Sequence, residues 1–382
     1  MTLGFDQAEY RGRLAAVRAD MAARDLEVCL ISTPENIFYL AGLDHWGYFA
    51  PHLLLVPAAG EMALVTRAME RVTVAHQVQN ARFEGHADHE TAADAALRLL
   101  RERGRGSGRI GVEKWSAGLP FGLAETLMRA LPDAGWLDIT GLVDQIRLVK
   151  SPAEQACMRA AARVSDAAMT AATEAIRVGG SERTVAAACQ RAMVEAGGTY
   201  PGFGPFIRSG ARLGEEHTTW SDRVLAAGDP VFLELSGCVR RYHAPLGRLV
   251  FLHSAPPGTE RIAKVCLDAF DAVLEALRPG ALAREVYAAW QRVVDAAGLS
   301  HYRRHHCGYL VGIGFPPSWT GGNRVSGLRH DSELVIRTGM TFHILSWLMG
   351  SGQGDYFVSD TVLLGDAGPE VLTTAPRHLL RR

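Results

Sequence analysis

Apolar residues recur at helical spacing from Asp6 to Arg24, and an unbroken apolar run follows at Val28–Ile31. That order predicts a helix leading into a buried strand. Leu53–Val56 and Met62–Val65 flank Pro57-Ala58-Ala59-Gly60, the pattern of a hairpin. Ala92–Arg103 reads as a second helix, ended by Arg105-Gly106-Ser107-Gly108. Ile110–Val112 and Leu137–Ile139 read as strands around a helix near 120–131. The first third is therefore an α/β domain. Ser151-Pro152-Ala153-Glu154 carries a capping residue, a proline at the first helical position and an acid at the third. It predicts the start of a long Ala-rich helix reaching about Arg177, and a domain boundary just before it. The expected domains are 1–149 and 150–382.

The second domain repeats itself at an offset of 101 residues. Glu174-Ala175-Ile176-Arg177-Val178-Gly179 matches Glu275-Ala276-Leu277-Arg278-Pro279-Gly280, and Gln190-Arg191 matches Gln291-Arg292. Between 174 and 197, 12 of 24 positions are identical, four of them alanine. Each copy reads helix, glycine turn, helix, Ala-Gly stop. Strand-forming runs follow: Phe203–Ile207 and Val231–Leu235 after the first copy, Tyr309–Ile313 and Thr341–Trp347 after the second. Two such halves imply an α+β domain with a pseudo-two-fold, helices on one face of a shared antiparallel sheet. A site between the halves draws residues from both.

Composition narrows the partners. Lys and Arg number 40 against 41 Asp and Glu, for a net charge of −1, without the basic excess of a nucleic-acid binder. Hydrophobic residues at 48% and charged residues at 21% suit a large globular core. Trp46–Gly60 is the longest uncharged stretch near the front; it is shorter than the ~20 residues of a membrane helix and holds two prolines. The N-terminus lacks the apolar core of a secretory signal. Six scattered cysteines without a CxxC fit a reducing cytoplasm rather than a disulfide or zinc framework.

Several motifs, in order along the chain, resemble the creatinase/methionine-aminopeptidase family and its "pita-bread" fold. They are Thr33-Pro34-Glu35-Asn36-Ile37-Phe38-Tyr39-Leu40-Ala41-Gly42, Lys150-Ser151-Pro152-Ala153-Glu154 and Gly339-Met340-Thr341-Phe342. The resemblance implies a creatinase-like N-terminal domain. Peptidases of that family hold two metal ions through two Asp, one His and two Glu. By motif, those positions fall on Glu234, Pro245, Tyr309, Leu345 and Val358. Pro, Leu and Val offer no side-chain ligand, so no metal and no other cofactor is expected. Two longer runs resemble ectoine hydrolases within the family: Glu215–Arg223 leading into Glu234–Arg248, and His306–Gly322 with Thr341–Trp347.

That resemblance implies hydrolysis of a cyclic amidine, ectoine, to an N-acetyl-2,4-diaminobutyrate. An amidinium carbon already carries delocalised positive charge, so addition needs no Lewis acid. It needs an anion beside the amidinium, a base, and a cation for the ring carboxylate. Glu234, a lone acid in the apolar strand Val231–Leu235, is the expected anion or nucleophile. A structural ion pair with Arg240, Arg241 or Arg248 is the competing role. His217 is the expected general base or acid, at the position where creatinase keeps its catalytic histidine. His343 alternates onto the face of Leu345, Tyr309 stands at the metal-His position, and Tyr242 or His243 precedes the second Asp position. These four, with Trp319 and Trp347 as an apolar wall, are the expected substrate contacts. Arg208 or Arg212 is the candidate partner of the carboxylate. Glu215 and Glu216 read as solvated or capping acids, and His301, His305 and His306 as a polar turn. The family's dimeric habit makes Tyr48 and Phe49, in the run Trp46–Pro51, a lid over the partner subunit's site in a homodimer. The alternatives are a creatinase-like hydrolase of another amidine or guanidine, and a non-catalytic binding module.

Overall fold

The computed structural model describes residues 4–104, 106–322 and 325–382. It separates into two compact units. The first runs to Arg147 and includes Gly322; the second comprises Leu148–Gly321 and Val325–Arg382.

The first unit is built on a six-stranded sheet. Its strands are β1 (Val28–Ile31), β2 (Leu53–Pro57), β3 (Met62–Arg67), β4 (Ala81–His86), β5 (Arg109–Val112) and β6 (Gly135–Asp138). They lie in the order β4-β3-β2-β1-β5-β6. The expected hairpin is the antiparallel β2–β3 pair. Helices α1 (Gln7–Ala23), α2 (Pro34–Ala41), α3 (Arg71–Gln77), α4 (Ala92–Glu102), α5 (Phe121–Ala130) and α6 (Leu142–Ile146) complete the unit. The expected stop at 105–108 lies partly outside the described residues. β4 and the short α3 carry mostly half-buried or exposed residues without a clean period, so hydrophobic patterning does not announce them. The start of α2 is held by a buried acid: Glu113 accepts the backbone N–H groups of Ser32 at 2.6 Å and Thr33 at 2.8 Å.

The second unit starts with α7 (Pro152–Ala175), where Ser151 and Glu154 form the expected reciprocal cap. α8 (Glu182–Glu195) follows, then β7 (Phe206–Ser209), β8 (Pro230–Val239) and β9 (Tyr242–Phe251). The second half repeats the order: α9 (Thr259–Ala276), α10 (Ala283–Ala296), β10 (Gly308–Leu310), β11 (Thr341–Leu348) and β12 (Tyr356–Gly365). The short β13 (Gly368–Val371) and β14 (Leu380–Arg381) pair with β12 and β9. The main sheet runs β10-β11-β12-β9-β8-β7, so the halves meet at β9 and β12 and the order reads alike from either edge. This is the pseudo-two-fold of the sequence repeat. α7 and α8 pack an apolar layer on one face of the sheet, with Val164, Ala168, Ala172 and Val185 against Ile207, Leu233 and Leu246. Among the described residues no helix is long and apolar enough to cross a membrane.

Strand pairing places one row of residues across the sheet. Phe206 opposes Glu234, Glu234 opposes Gly247, Gly247 opposes Ser359, and Ser359 opposes Leu345. Side chains at directly paired positions share a face, so this row looks away from the helices. A Cβ on Gly247 would stand 2.2 Å from the Phe357 ring and 2.9 Å from Ser359 Oγ. Glycine there lets the two halves close on one another.

Candidate active site

Above that row lies a cavity of about 380 Å³. Among the described residues its lining comes from the second unit. Glu234 forms part of the floor and is 9% exposed. Burial pushes its pKa up from 4.5 to about 7; the charges of Arg208 and Arg304 oppose the rise and Glu216 adds to it. Glu234 Oε1 is 4.0 Å from His343 Nδ1. His343 does not act as a counter-cation, because burial holds its pKa well below the ordinary 6.5, helped by the charges of His306 and Arg248. The carboxylate is thus short of protein partners, which leaves it suited to a cationic ligand.

Tyr309 also lines the cavity, and its hydroxyl is engaged twice. It accepts the Trp319 indole N–H at 3.0 Å and lies 2.8 Å from His343 Nδ1. An indole only donates, so the Tyr309 proton is free to go to His343. On its other side, His343 Nε2 is hydrogen-bonded to Ser359 Oγ at 2.7 Å. The chain Trp319–Tyr309–His343–Ser359 holds the Tyr309 hydroxyl in place at the cavity. His343 itself stands behind Tyr309 and is not part of the lining.

Trp319 and Trp347 line the cavity, joined by Phe203 and Phe206. Phe203 meets Trp319 edge-on at 4.7 Å. Arg304 lies over Trp347 at 4.5 Å and within 3.7 Å of Glu216 Oε1. Arg208 lies over Phe232 at 4.2 Å and donates to the Glu215 carbonyl. His217 reaches the cavity on the segment after β7, with its ring 6.0 Å from Phe206.

Other expected contacts are placed elsewhere. Tyr242 points to the helix side of the sheet and donates to Glu154 Oε1 at 2.7 Å. His243 is buried, accepts the Gly202 N–H at 2.8 Å, and is not in the lining. Arg212 also stays out of the lining; Glu182, Glu215 and the Thr219 carbonyl occupy it. Tyr48 and Phe49 lie in the 3-10 turn Trp46–Phe49 of the first unit. Tyr48 donates to the Leu43 carbonyl at 2.9 Å, while Phe49 is 80% exposed. Two residues of the supposed polar turn, His305 and His306, line the cavity. Burial and the neighbouring His305, Arg304 and Arg329 charges lower His306 to about 3. Arg304 and Arg329 were not expected at the site. The signal for Arg304 was the run Arg303-Arg304-His305-His306 just before the strand bearing Tyr309. For Phe206 it was its alternation with Arg208.

The donor set does not suit a pair of metal ions. The fifth position is corrected by one residue: Val358 pairs with Arg248 and Ser346 on the helix side, and Ser359 takes its place on the cavity side. The five positions therefore present Glu234, Pro245, Tyr309, Leu345 and Ser359, of which one is a carboxylate. Such a set lacks the carboxylates and imidazole that hold divalent ions. Among the described residues no group of three or more His, Cys, Asp or Glu is arranged around a common point.

Comparison with known proteins agrees with this architecture. The model of metallopeptidase family M24 matches residues 156–366, and that of the creatinase/prolidase N-terminal domain matches 13–149. The chain is 30% identical to an ectoine hydrolase of Halomonas elongata, over 99% of this chain and 98% of that protein. It is 26% identical to an Xaa-Pro dipeptidase of Pyrococcus horikoshii, over 94% of this chain and 96% of that protein. A prolidase structure from Thermococcus sibiricus superposes with a TM-score of 0.87 at 19% identity, covering 99% of this chain and all of the other. On the match of both domains, the chain belongs to metallopeptidase family M24, with that family's pita-bread domain behind a creatinase/prolidase-type N-terminal domain.

Proposed function

We propose that this protein is a metal-independent hydrolase that opens the cyclic amidine ectoine to an N-acetyl-2,4-diaminobutyrate, as the name of its Halomonas relative suggests. The observation that carries the reading is Glu234: one buried carboxylate, short of partners, on the floor of an aromatic cavity. An amidinium supplies the missing cation. The guanidinium of Arg304, beside Trp347, suits the ring carboxylate, and Trp319, Phe203 and Phe206 suit the methyl-bearing ring. Charge complementarity in a small, partly desolvated cavity then sets affinity and orientation.

In the reaction, the oxygen of water adds to the amidine carbon. The tetrahedral carbon then expels one ring nitrogen, which takes a proton, and the carbon with its methyl group becomes the acetyl. Glu234 serves either by holding the amidinium, or by adding to its carbon first, with loss of the protonated ring nitrogen, to leave an acyl imidate whose carbon water attacks as the carboxylate departs. His217 takes the proton from water and returns it to the departing nitrogen. Tyr309 and His343, tied together, hold the floor in place.

The working unit we propose is a homodimer in which Tyr48 and Phe49 of one subunit close the cavity of the other. The exposure of Trp46 at 62% and Phe49 at 80% supports it. A cytoplasmic location is supported by six cysteines that form no disulfide. The test is to supply ectoine and creatine separately and follow each by proton NMR. Ectoine should be consumed with appearance of an acetyl resonance. Turnover of creatine alone points to the creatinase-like alternative, and turnover of neither refutes the ectoine reading.

A further inference from the structure

The segment between β7 and β8 carries Glu216 and His217 to the cavity without regular structure beyond the 3-10 turn Gly210–Gly214. His217 has a φ of 55°, a left-handed backbone that a non-glycine residue holds only where its surroundings fix it. The fixing comes from outside the cavity. Glu182, the first residue of α8, is completely buried. Its carboxylate accepts Ser209 Oγ at 2.7 Å and both the N–H and the hydroxyl of Ser221, at 2.8 and 2.7 Å. These contacts pin the two ends of the segment to one anion. The carboxylate also pairs with Arg212.

Arg212 spreads that anchor over the middle. Its Nε donates to Glu215 Oε2 at 2.9 Å, and a terminal nitrogen donates to the Thr219 carbonyl at 3.1 Å. Thr218 Oγ1 donates to the Glu215 carbonyl at 3.0 Å. The contact points at 215, 218 and 219 bracket Glu216 and His217 on both sides. A planar guanidinium meets all of them at once; a lysine ammonium does not have the span.

We propose that Glu182 and Arg212 are positioning residues: their ion pair holds the 215–219 bend so that His217 presents its ring to the cavity before substrate arrives. The role of His217 rests on the function proposed above. Neither Glu182 nor Arg212 touches the cavity, so both act through the bend. A general acid–base group contributes typically ~10²–10⁴-fold to rate, and a bend that wanders forfeits part of that factor while leaving the binding walls intact.

The test compares Arg212→Lys, His217→Ala and the double variant, with ectoine as substrate. Arg212→Lys is expected to lower kcat by at least about tenfold while KM moves less than about threefold, a split that mere destabilisation does not produce. The double variant is expected within about twofold of His217→Ala, because the pair acts through that histidine. Multiplication of the two losses, or an unchanged kcat in Arg212→Lys, overturns the proposal. Hydrogen exchange provides a substrate-free arm: amides 215–219 should exchange faster in Arg212→Lys, with the sheet unchanged. Unchanged exchange there also overturns it. If the wild-type protein turns over no ectoine, that arm still decides the positioning role on its own. Should Arg212→Lys fail to fold, Ser221→Ala, which deletes one hydroxyl contact to Glu182, should show the same faster exchange at smaller amplitude, and no change there counts against the proposal.

Discussion

Replacing Glu234 by glutamine is expected to make the protein more stable and less active, by amounts that depend on pH. The carboxyl has its pKa raised by burial from 4.5 to about 7. Below pH 4.5 it is protonated in both folded and unfolded chains, and above 7 it is ionised in both. Between these values only the folded state holds the proton, so stability falls as pH rises through that window. At ~1.36 kcal/mol per pH unit the loss reaches about 3 kcal/mol by pH 8. Glutamine keeps the shape and never ionises. The variant should therefore gain about 3 kcal/mol over wild type at pH 8 and less than about 1 kcal/mol at pH 5. For a unit of this size that is a rise in melting temperature of roughly 6–12 °C at pH 8, read by calorimetry at the two pH values. The neutral His343 at 4.0 Å does not offset the charge; Arg208 and Arg304 do so only in part, and that part is already contained in the value of about 7. Equal shifts at both pH values, or a destabilised variant at pH 8, would refute the view that Glu234 is an ion held at the expense of stability. The same ionisation sets the rate: wild-type kcat/KM on ectoine should climb with pH through about 7, with the limb in kcat lower because a bound cation favours the carboxylate.

Turnover in Glu234→Gln should drop more than tenfold at pH 8, a loss above ~1.4 kcal/mol in the barrier; a smaller loss in a folded variant removes Glu234 from the centre of the mechanism. Dialysis against EDTA should leave activity intact, and loss restored by Mn, Co or Zn would contradict the donor set read from Pro245, Leu345 and Ser359. Trp319→Phe deletes the indole N–H on Tyr309, and denaturant unfolding should show a cost of about 1 kcal/mol. No cost would mean that the Trp319–Tyr309 bond carries no net stability. Mixing a Glu234→Gln chain with a Tyr48→Ala/Phe49→Ala chain should restore activity if the lid comes from the partner subunit, since one site in each hybrid dimer then has neither lesion. No recovery, with subunit exchange verified, removes the lid from that role.

What the sequence disclosed about this fold was local or repeated. The cap at Ser151 and Glu154 was legible because both members lie within one helical turn. The β2–β3 hairpin was legible because its turn chemistry sits between two apolar runs. The pseudo-two-fold showed because the same Arg, Gly and Gln-Arg positions recur at one offset. Positions that depend on pairing between distant strands were harder. The fifth ligand position slipped from Ser359 to Val358 because a single step along a strand turns a side chain to the other face. Only the pairing of Ser359 with Gly247 and Leu345 decides which one looks at the cavity. Tyr242 and His243 were legible as near the site but not as outside it. Tyr242 alternates to the helix side, and His243 is met by the Gly202 amide.

The same row of residues explains how the family's scaffold is kept while its metal ligands are absent. A dinuclear site needs anions converging from several strands, because two divalent charges must be balanced at short range. Here that convergence is reduced to one carboxylate. The other positions are filled by groups that pack or bond to each other: Leu345 at the wall, Ser359 on His343, and Tyr309 between His343 and Trp319. Taken alone, Glu234 would be an expensive residue to bury. On the proposed function a cationic substrate joins it. Arg304 leans on Trp347 and Glu216, and Arg208 is held over Phe232 by its bond to the Glu215 carbonyl. Both oppose the rise in the Glu234 pKa without removing it. On the proposed function, the Glu234 carboxylate and the lining guanidinium groups together would favour a small zwitterion. The proposed function accounts for that donor set, since peptide hydrolysis calls for a polarised carbonyl, whereas an amidinium brings its own electrophilic carbon.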